Sequence, residues 1–264
     1  MNIIVLIKQV PDTAQLSSTV DGLKLMAEGG PRIVNPWDEY ALETGIQFME
    51  AQGGKVTVLC LGKSESAEAL KRGLAMGASE AILISDPALE DSDSLATARA
   101  LVAAIRKVGE PDLIIGGRSA IDGNTAATAV QVAALLGLPQ LSYVAAIDKV
   151  EVEAKTITVK RLLENGRETV SSKLPAVITV VKEINEPRYP SFMGIRKAAK
   201  ANIPTWGLAE LGLEASQVGL AGSQVKWPEV SLPPAREAGA EIIAGTPAEA
   251  AKILADRLTA EKVI

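Results

Sequence analysis

The stretch richest in possible chemistry reads Gly116-Gly117-Arg118-Ser119-Ala120-Ile121-Asp122-Gly123-Asn124-Thr125-Ala126-Ala127-Thr128-Ala129. The apolar run Leu113-Ile114-Ile115 enters it, and a segment rich in small residues leaves it. Glycines allow close approach. N–H groups at the start of a following helix, with the hydroxyls of Thr125 and Thr128, can hold a phosphate. The loop lacks the Gly-Lys-Ser/Thr of a P-loop and the Gly-x-Gly-x-x-Gly dinucleotide fingerprint. An ordinary strand-to-helix turn accounts for it equally well. The acidic residues have plain explanations too. Asn35 and Asp38 read as caps of a helix that opens at Asn35-Pro36-Trp37-Asp38. Asp86, Glu90, Asp91 and Asp93 lack the ligand order and glycine of a calcium loop, so they read as a solvated turn. Glu164 and Glu168 read as surface charges on a hairpin. Phe192-Met193, followed by Arg196, Lys197 and Lys200, reads as a contact site if Phe192 is exposed.

Two absences exclude more than the composition does. The chain has no histidine and one cysteine, Cys60. Nucleophilic triads, imidazole-held zinc or haem, disulfides and iron–sulfur clusters are therefore not expected, and no metal site is. Redox or transfer chemistry then has to come from a bound organic cofactor or a second protein. A formal charge of −5 and 3% aromatics argue against nucleic acid. No apolar run reaches the roughly 18–20 residues of a bilayer crossing. Met1 to Lys8 reads as a strand and not as a signal peptide, so a cytoplasmic location is expected.

The elements that must position these residues alternate. Ile3–Ile7, Val56–Leu61, Ala81–Ile84 and Leu113–Ile115 are apolar runs suited to strands covered on both faces. Between them lie helical stretches from Asn35, from Ser64 to Met76 and from Asp93 to Val108. The expected fold is α/β, a Rossmann-like parallel sheet flanked by helices, with ligands outside the carboxyl ends of the strands. Cys60, inside a strand, reads as a small buried hydrophobe. Beyond Pro139 the pattern changes. Lys155–Arg161 alternates, Asn165-Gly166 signals a turn, Glu168–Val170 returns, and Pro175–Val181 is apolar. An antiparallel hairpin attached to the sheet follows. Residues 200–245 hold Pro204, Pro228, Pro233 and Pro234 and read as an extended C-terminal arm. It ends in a helix opened by the capping box Thr246-Pro247-Ala248-Glu249. The expected division is 1–200 for an α/β domain and 201–264 for the arm and helix.

Several separated motifs together resemble the β subunit of the electron transfer flavoprotein family. They are Val5 to Thr13, Asn35 to Glu43, Ala75 to Ala78, and Ala120-Ile121-Asp122. The most specific is the hairpin, Val159-x-Arg161, Glu164, Glu168, Val170 and Leu174 to Thr179, followed by Asn185 to Tyr189 and Ala244 to Ala251. The resemblance implies a heterodimer with an α subunit that holds a redox-active FAD. It also implies an adenine nucleotide in this chain, either AMP or, in the bifurcating type, a second FAD. The residues implied to touch it are Leu6, Asn35, Pro36, Trp37, Asp38, Leu61, Asp122, Gly123, Asn124, Thr125, Ala126, Ala127, Thr128, Val130, Gln131 and Ala134. Phe192, with Tyr189, Met193, Arg196 and Lys197, is implied to recognise flavin dehydrogenases such as acyl-CoA dehydrogenases, and the arm to wrap the α subunit. The sequence departs from the pattern where Ala127 replaces a usual glutamine, Ala129 a glycine, Asn124 an aspartate, Trp37 a phenylalanine and Phe192 a leucine. Two other classes stand beside the carrier: a nucleotide-binding sensor of the same fold without electron transfer, and a hydrolase or ligase with Asp12, Asp38 or Asp122 as base.

Overall fold

The structure is a computed structural model that describes residues 1–15, 30–226 and 240–264. Contacts divide the chain into two units, Met1–Pro228 and Glu229–Ile264. The first is built on a nine-stranded sheet. In the order in which strands lie side by side, its centre runs β5 (Glu80–Ile84), β4 (Lys55–Leu61), β1 (Asn2–Ile7), β6 (Leu113–Gly117) and β10 (Ala176–Val180), all parallel. β1 alternates between faces. Ile3, Val5 and Ile7 meet α1 (Pro36–Gln52) and α2 (Ala67–Met76) through Ala41, Leu42, Ile46 and Leu70. Ile4 and Leu6 meet α3 (Ser94–Val108) and α4 (Thr128–Leu136) through Leu101, Ile105 and Val132. Each such side chain contributes roughly 1.5–3 kcal/mol by burial, which explains why a six-residue run with no polar face sits at the centre.

The chain leaves β1 toward β4 and β5, then returns past β1 to β6 and β10. The winding direction therefore reverses between β1 and β6, and a crevice opens there at the carboxyl ends. A small antiparallel pair, β2 (Gln9–Pro11) with β3 (Arg32–Val34), follows β1. The expected hairpin is β8 (Thr156–Leu163) with β9 (Gly166–Lys173), and it extends further than expected. A twelve-residue strand, β7 (Gln140–Glu151), joins it to the sheet, antiparallel to β8 and parallel to β10. β7 carries two bulges and mixed burial, so its alternation is broken in the sequence.

Past residue 200 the first unit continues. α5 (Phe192–Ala198) precedes β11 (Thr205–Trp206), which extends the parallel sheet beside β5. α6 (Leu208–Leu211) and α7 (Gly219–Gly222) follow, and Leu208, Leu211, Leu213 and Val218 pack on the α3 side of the core. The holding groups are Asp86 and Asp93, which are half-buried and not solvated as expected; Glu90 and Asp91 between them are exposed, as expected. Asp86 accepts the Leu208 N–H at 3.1 Å and the Ala88 N–H at 3.0 Å. Asp93 accepts from Ala96 at 2.8 Å as the cap of α3, and from Gln224 at 2.6 Å and Val225 at 3.0 Å. Burial pushes the Asp93 carboxyl up, but these N–H groups outweigh it and hold it below the usual range. Pro228, Pro233 and Pro234 of the expected arm lie outside the described residues.

In the second unit, α8 (Pro247–Ala260) starts at the expected box, with Thr246 Oγ1 accepting from Glu249 N–H and Glu249 Oε2 accepting from Thr246 N–H. Among the described residues no helix is long and apolar enough to cross a membrane.

Asp93→Ala removes a cap and two long-range acceptors together. A loss of about 1–2 kcal/mol in chemical denaturation is expected, with faster amide exchange at Gln224 and Val225 and unchanged exchange in β1. Unchanged exchange at 224–225 would show that other contacts hold the segment.

Candidate functional site

β1 and β6 pair up to Leu6 opposite Gly116 and then part. The N–H groups just beyond, of Lys8 and Gly117, need acceptors. Asp38, in the first turn of α1, supplies both. Its Oδ2 accepts from Lys8 N–H at 2.8 Å and its Oδ1 from Gly117 N–H at 3.1 Å. Asn35 makes a second bridge, donating Nδ2–H to Ser119 O at 2.8 Å and accepting from Ile121 N–H at 3.1 Å. Neither side chain caps its own helix; Asn35 makes no capping bond. The capping expectation fails because both side chains are committed to residues roughly 30 to 90 positions away. Gly117 is required here: a Cβ would lie 2.4 Å from Asp38 Oδ1 and 2.7 Å from Trp37 Cβ.

Around this bridge lies a cavity of about 770 Å³. It gathers Leu6, Asn35, Asp38, Leu61 and residues 122–128 from the expected set. Pro36, Trp37, Val130, Gln131 and Ala134 do not line it. Pro36 and Trp37 begin α1 behind the wall; the other three lie further along α4. In the loop, Asn124 and Ala126 have φ of 47° and 52°, and Ala127 is right-handed. Such alternation turns successive N–H groups to one side, as anion-binding nests do, and an alanine held there is strained. Ala129 Cβ lies 3.4 Å from where a Gly116 side chain would begin, so small residues let α4 approach β6.

The expected set omitted Ser85, Asp86, Glu90, Asp91, Asp93, Thr179, Arg118 and Ser119, all of which line the cavity. Arg118 and Ser119 directly follow the apolar strand β6, at the carboxyl end where ligands bind, and that position was the available signal. Most of the charges are spent. Lys8 pairs with Asp122 at 2.6 Å and Lys63 with Glu90 at 3.5 Å. Asp12, a candidate base, does not line the cavity and accepts from Ala14 N–H and Gln15 Nε2. Cys60 is buried, and burial pushes its thiol up to about 12, so it is inert. Among the described residues no cluster of histidine, cysteine and carboxylates is arranged to hold a metal.

The family model for the electron transfer flavoprotein domain matches residues 23–211. The electron transfer flavoprotein subunit beta of Thermoanaerobacterium thermosaccharolyticum is 43% identical over the whole of both chains. That of Megasphaera elsdenii is 38% identical over the whole of both. So is a subunit of the caffeyl-CoA reductase-Etf complex of Acetobacterium woodii, CarD. This chain belongs to the electron transfer flavoprotein beta subunit family. As an electron transfer flavoprotein subunit it is an electron carrier, and the hydrolase or ligase reading falls.

A second feature of this electron transfer flavoprotein subunit is an exposed apolar tip. Tyr189, Phe192 and Met193 are 91%, 80% and 68% exposed. Arg196 and Lys197 are exposed beside them. Ser191 caps α5 by accepting Gly194 N–H at 2.9 Å. Arg188 fastens the segment to α1, donating to Glu43 at 2.8 Å and to Glu50 at 2.6 Å. Asn185 donates to Tyr40 O and to Thr44 Oγ1. Burial pushes Glu43 up, but the Arg188 and Gln47 bonds outweigh it and keep its carboxyl below the usual range. The tip is thus held on a rigid base.

Burial pushes the Asp38 carboxyl from 3.8 up to about 7, against the pull of its N–H donors, Asn35 and Lys8. The folded state then binds the proton more tightly than the unfolded chain. Stability is highest below the unfolded value and declines as pH rises toward 7. Glu43, Glu50, Glu80 and Asp93 are lowered, so their stabilisation is lost only as pH falls below about 4.5. With no histidine in the chain, the range from pH 5 to 7.5 belongs to Asp38. A decline of about 3 kcal/mol across that range is expected from denaturant midpoints of the wild type, and a flat profile from Asp38→Asn. Parallel profiles for the two proteins would rule this out.

Proposed function

We propose that this chain is the β subunit of a heterodimeric electron transfer flavoprotein, with an adenine nucleotide in the crevice between β1 and β6. The observation that carries the reading is the crevice itself, a pre-formed cavity at the reversal of a parallel sheet. Its wall fits a phosphorylated ligand. Ser119 Oγ is buried there without a hydrogen-bond partner, and the loop turns left-handed at Asn124 and Ala126 just before the start of α4. Asp122 to Thr128, Asn35, Asp38, Leu6 and Leu61 are the residues that would hold it. The volume suits a second FAD better than AMP, which would leave much of the cavity to water.

The FAD carried between this chain and an α subunit would supply the electron chemistry. This chain contributes no catalytic side chain; it binds, orients and docks. Phe192, Tyr189 and Met193 are the apolar anchors for a flavin dehydrogenase, with Arg196 and Lys197 as rim charges. The arm and helix at 201–264 are assigned to the α subunit; that α8 falls in a unit separate from the α/β unit supports this for its end. CarD, named as part of a reductase complex, makes a role beside a dehydrogenase or reductase reasonable.

The test is to co-express the chain with an α subunit, purify the complex, denature it and count released FAD and AMP. Two FAD per heterodimer are expected; one FAD with one AMP would instead assign AMP to the crevice. A stable complex without nucleotide, or a monomer that never joins a flavin-bearing partner, would defeat the carrier reading and favour a sensor. Phe192→Ala in the same complex should raise the KM for a partner dehydrogenase about tenfold with the cofactor count unchanged.

A further inference from the structure

Three cations line the crevice: Lys8, Lys63 and Arg118. Lys8 is paired with Asp122 and Lys63 with Glu90. Arg118 has no carboxylate partner, and its guanidinium makes no hydrogen bond, among the described residues. It is nevertheless held in place. The guanidinium carbon lies 4.6 Å from the centre of the Trp37 ring and 5.8 Å from that of Tyr143. Its backbone N–H donates to Val180 O at 3.0 Å, which ties it to the end of β10. Trp37 can come that close because Gly117 has no side chain: a Cβ would meet Trp37 Cβ at 2.7 Å. Stacking on aromatic faces leaves the N–H edge of a guanidinium free for a planar or bidentate acceptor.

The remaining wall decides which acceptor fits. Asp86, Asp91 and Asp93 occupy the stretch after β5, where they would repel a phosphate. The Arg118 side is different. Next to it Ser119 Oγ is buried and unpartnered, and the N–H groups of α4 lie beyond. An unspent cation, an orphaned hydroxyl and a helix start line one cavity.

We propose that Arg118 is the phosphate-reading residue of the nucleotide site. Resting on the nucleotide reading above, it adds a contact outside the loop at 122–134. Its guanidinium donates to the phosphate oxygens, and Trp37 acts from behind the wall by holding it, not by touching the ligand.

The experiment uses the heterodimer refolded without nucleotide and two probes, AMP and adenosine. Wild type should bind AMP more tightly than adenosine, and the preference should shrink between 50 and 200 mM salt. Arg118→Met should weaken AMP at least tenfold and leave adenosine within twofold. Arg118→Lys, which keeps the charge and loses the fork, should recover part of the AMP affinity. Equal weakening of both probes in the folded variants would overturn the assignment, as would unchanged AMP binding. Should wild type bind neither probe, the nucleotide reading fails and the assignment with it; should it bind both equally, only the assignment fails.

Discussion

Parallel strands that part company leave backbone N–H groups facing each other across a gap, and the Asp38 carboxylate closes that gap. One side chain accepts from Lys8 at the end of β1 and Gly117 at the end of β6. Burial makes this expensive for an ionised group, as its raised pKa records. An unsatisfied pair of buried amides would cost more than an accepted pair. The bridge holds the floor of the crevice at the place where the winding reverses. It also sets where α1 begins, because the same turn that brings Asp38 to both strands lays Trp37 against Gly117. The position of the Trp37 ring, and so of Arg118, follows from the same contact.

The far wall repeats this use of carboxylates. Asp86 and Asp93 are spent on N–H groups of residues 208 and 224–225. They attach a segment with little regular structure to the edge of the sheet, where β11 continues the ladder beside β5. The acidic character of that wall is therefore structural in origin, although it also shapes the field of the cavity. A ligand with both phosphate and sugar groups meets an uneven environment. The side built from β6 and α4 offers donors, and the side after β5 offers acceptors.

The sequence showed the scaffold better than the connections across it. β1, β4, β5 and β6 are legible because burial on both faces leaves no charged residue in the apolar runs and one polar residue, Thr57. The terminal capping box is legible because its partners are three residues apart. Asn35 and Asp38 fit a local rule equally well, and local spacing gave no sign that their partners lie beyond β1 and β6. The same limit hid the clamps at Asp86 and Asp93. β7 was missed because two bulges interrupt its alternation. Of the site, the glycine-rich loop was visible as a strand-to-helix turn. Arg118 stood in plain view after β6, but that it lacks a carboxylate partner is a fact of three dimensions only.

An electron carrier has no need of side chains that gain or lose protons on demand, and this chain has few. Without histidine, with its thiol buried and Asp122 tied to Lys8, only Asp38 is left to change its proton near neutral pH, and both of its oxygens already accept backbone N–H groups. In an enzyme such commitments would be a defect, since a base must be free to take a proton at working pH. In a carrier they are useful. Each committed group fixes a wall of the crevice or a strand end, and a redox group held between subunits depends on fixed distances and a constant field. The same economy explains the exposed apolar tip. Phe192 and Met193 sit on a helix capped by Ser191 and fastened through Arg188, so a partner that met them would need little ordering of the loop. The fixed geometry of the crevice and of the apolar tip thus comes from one habit of the sequence, the use of buried or half-buried polar side chains as long-range ties.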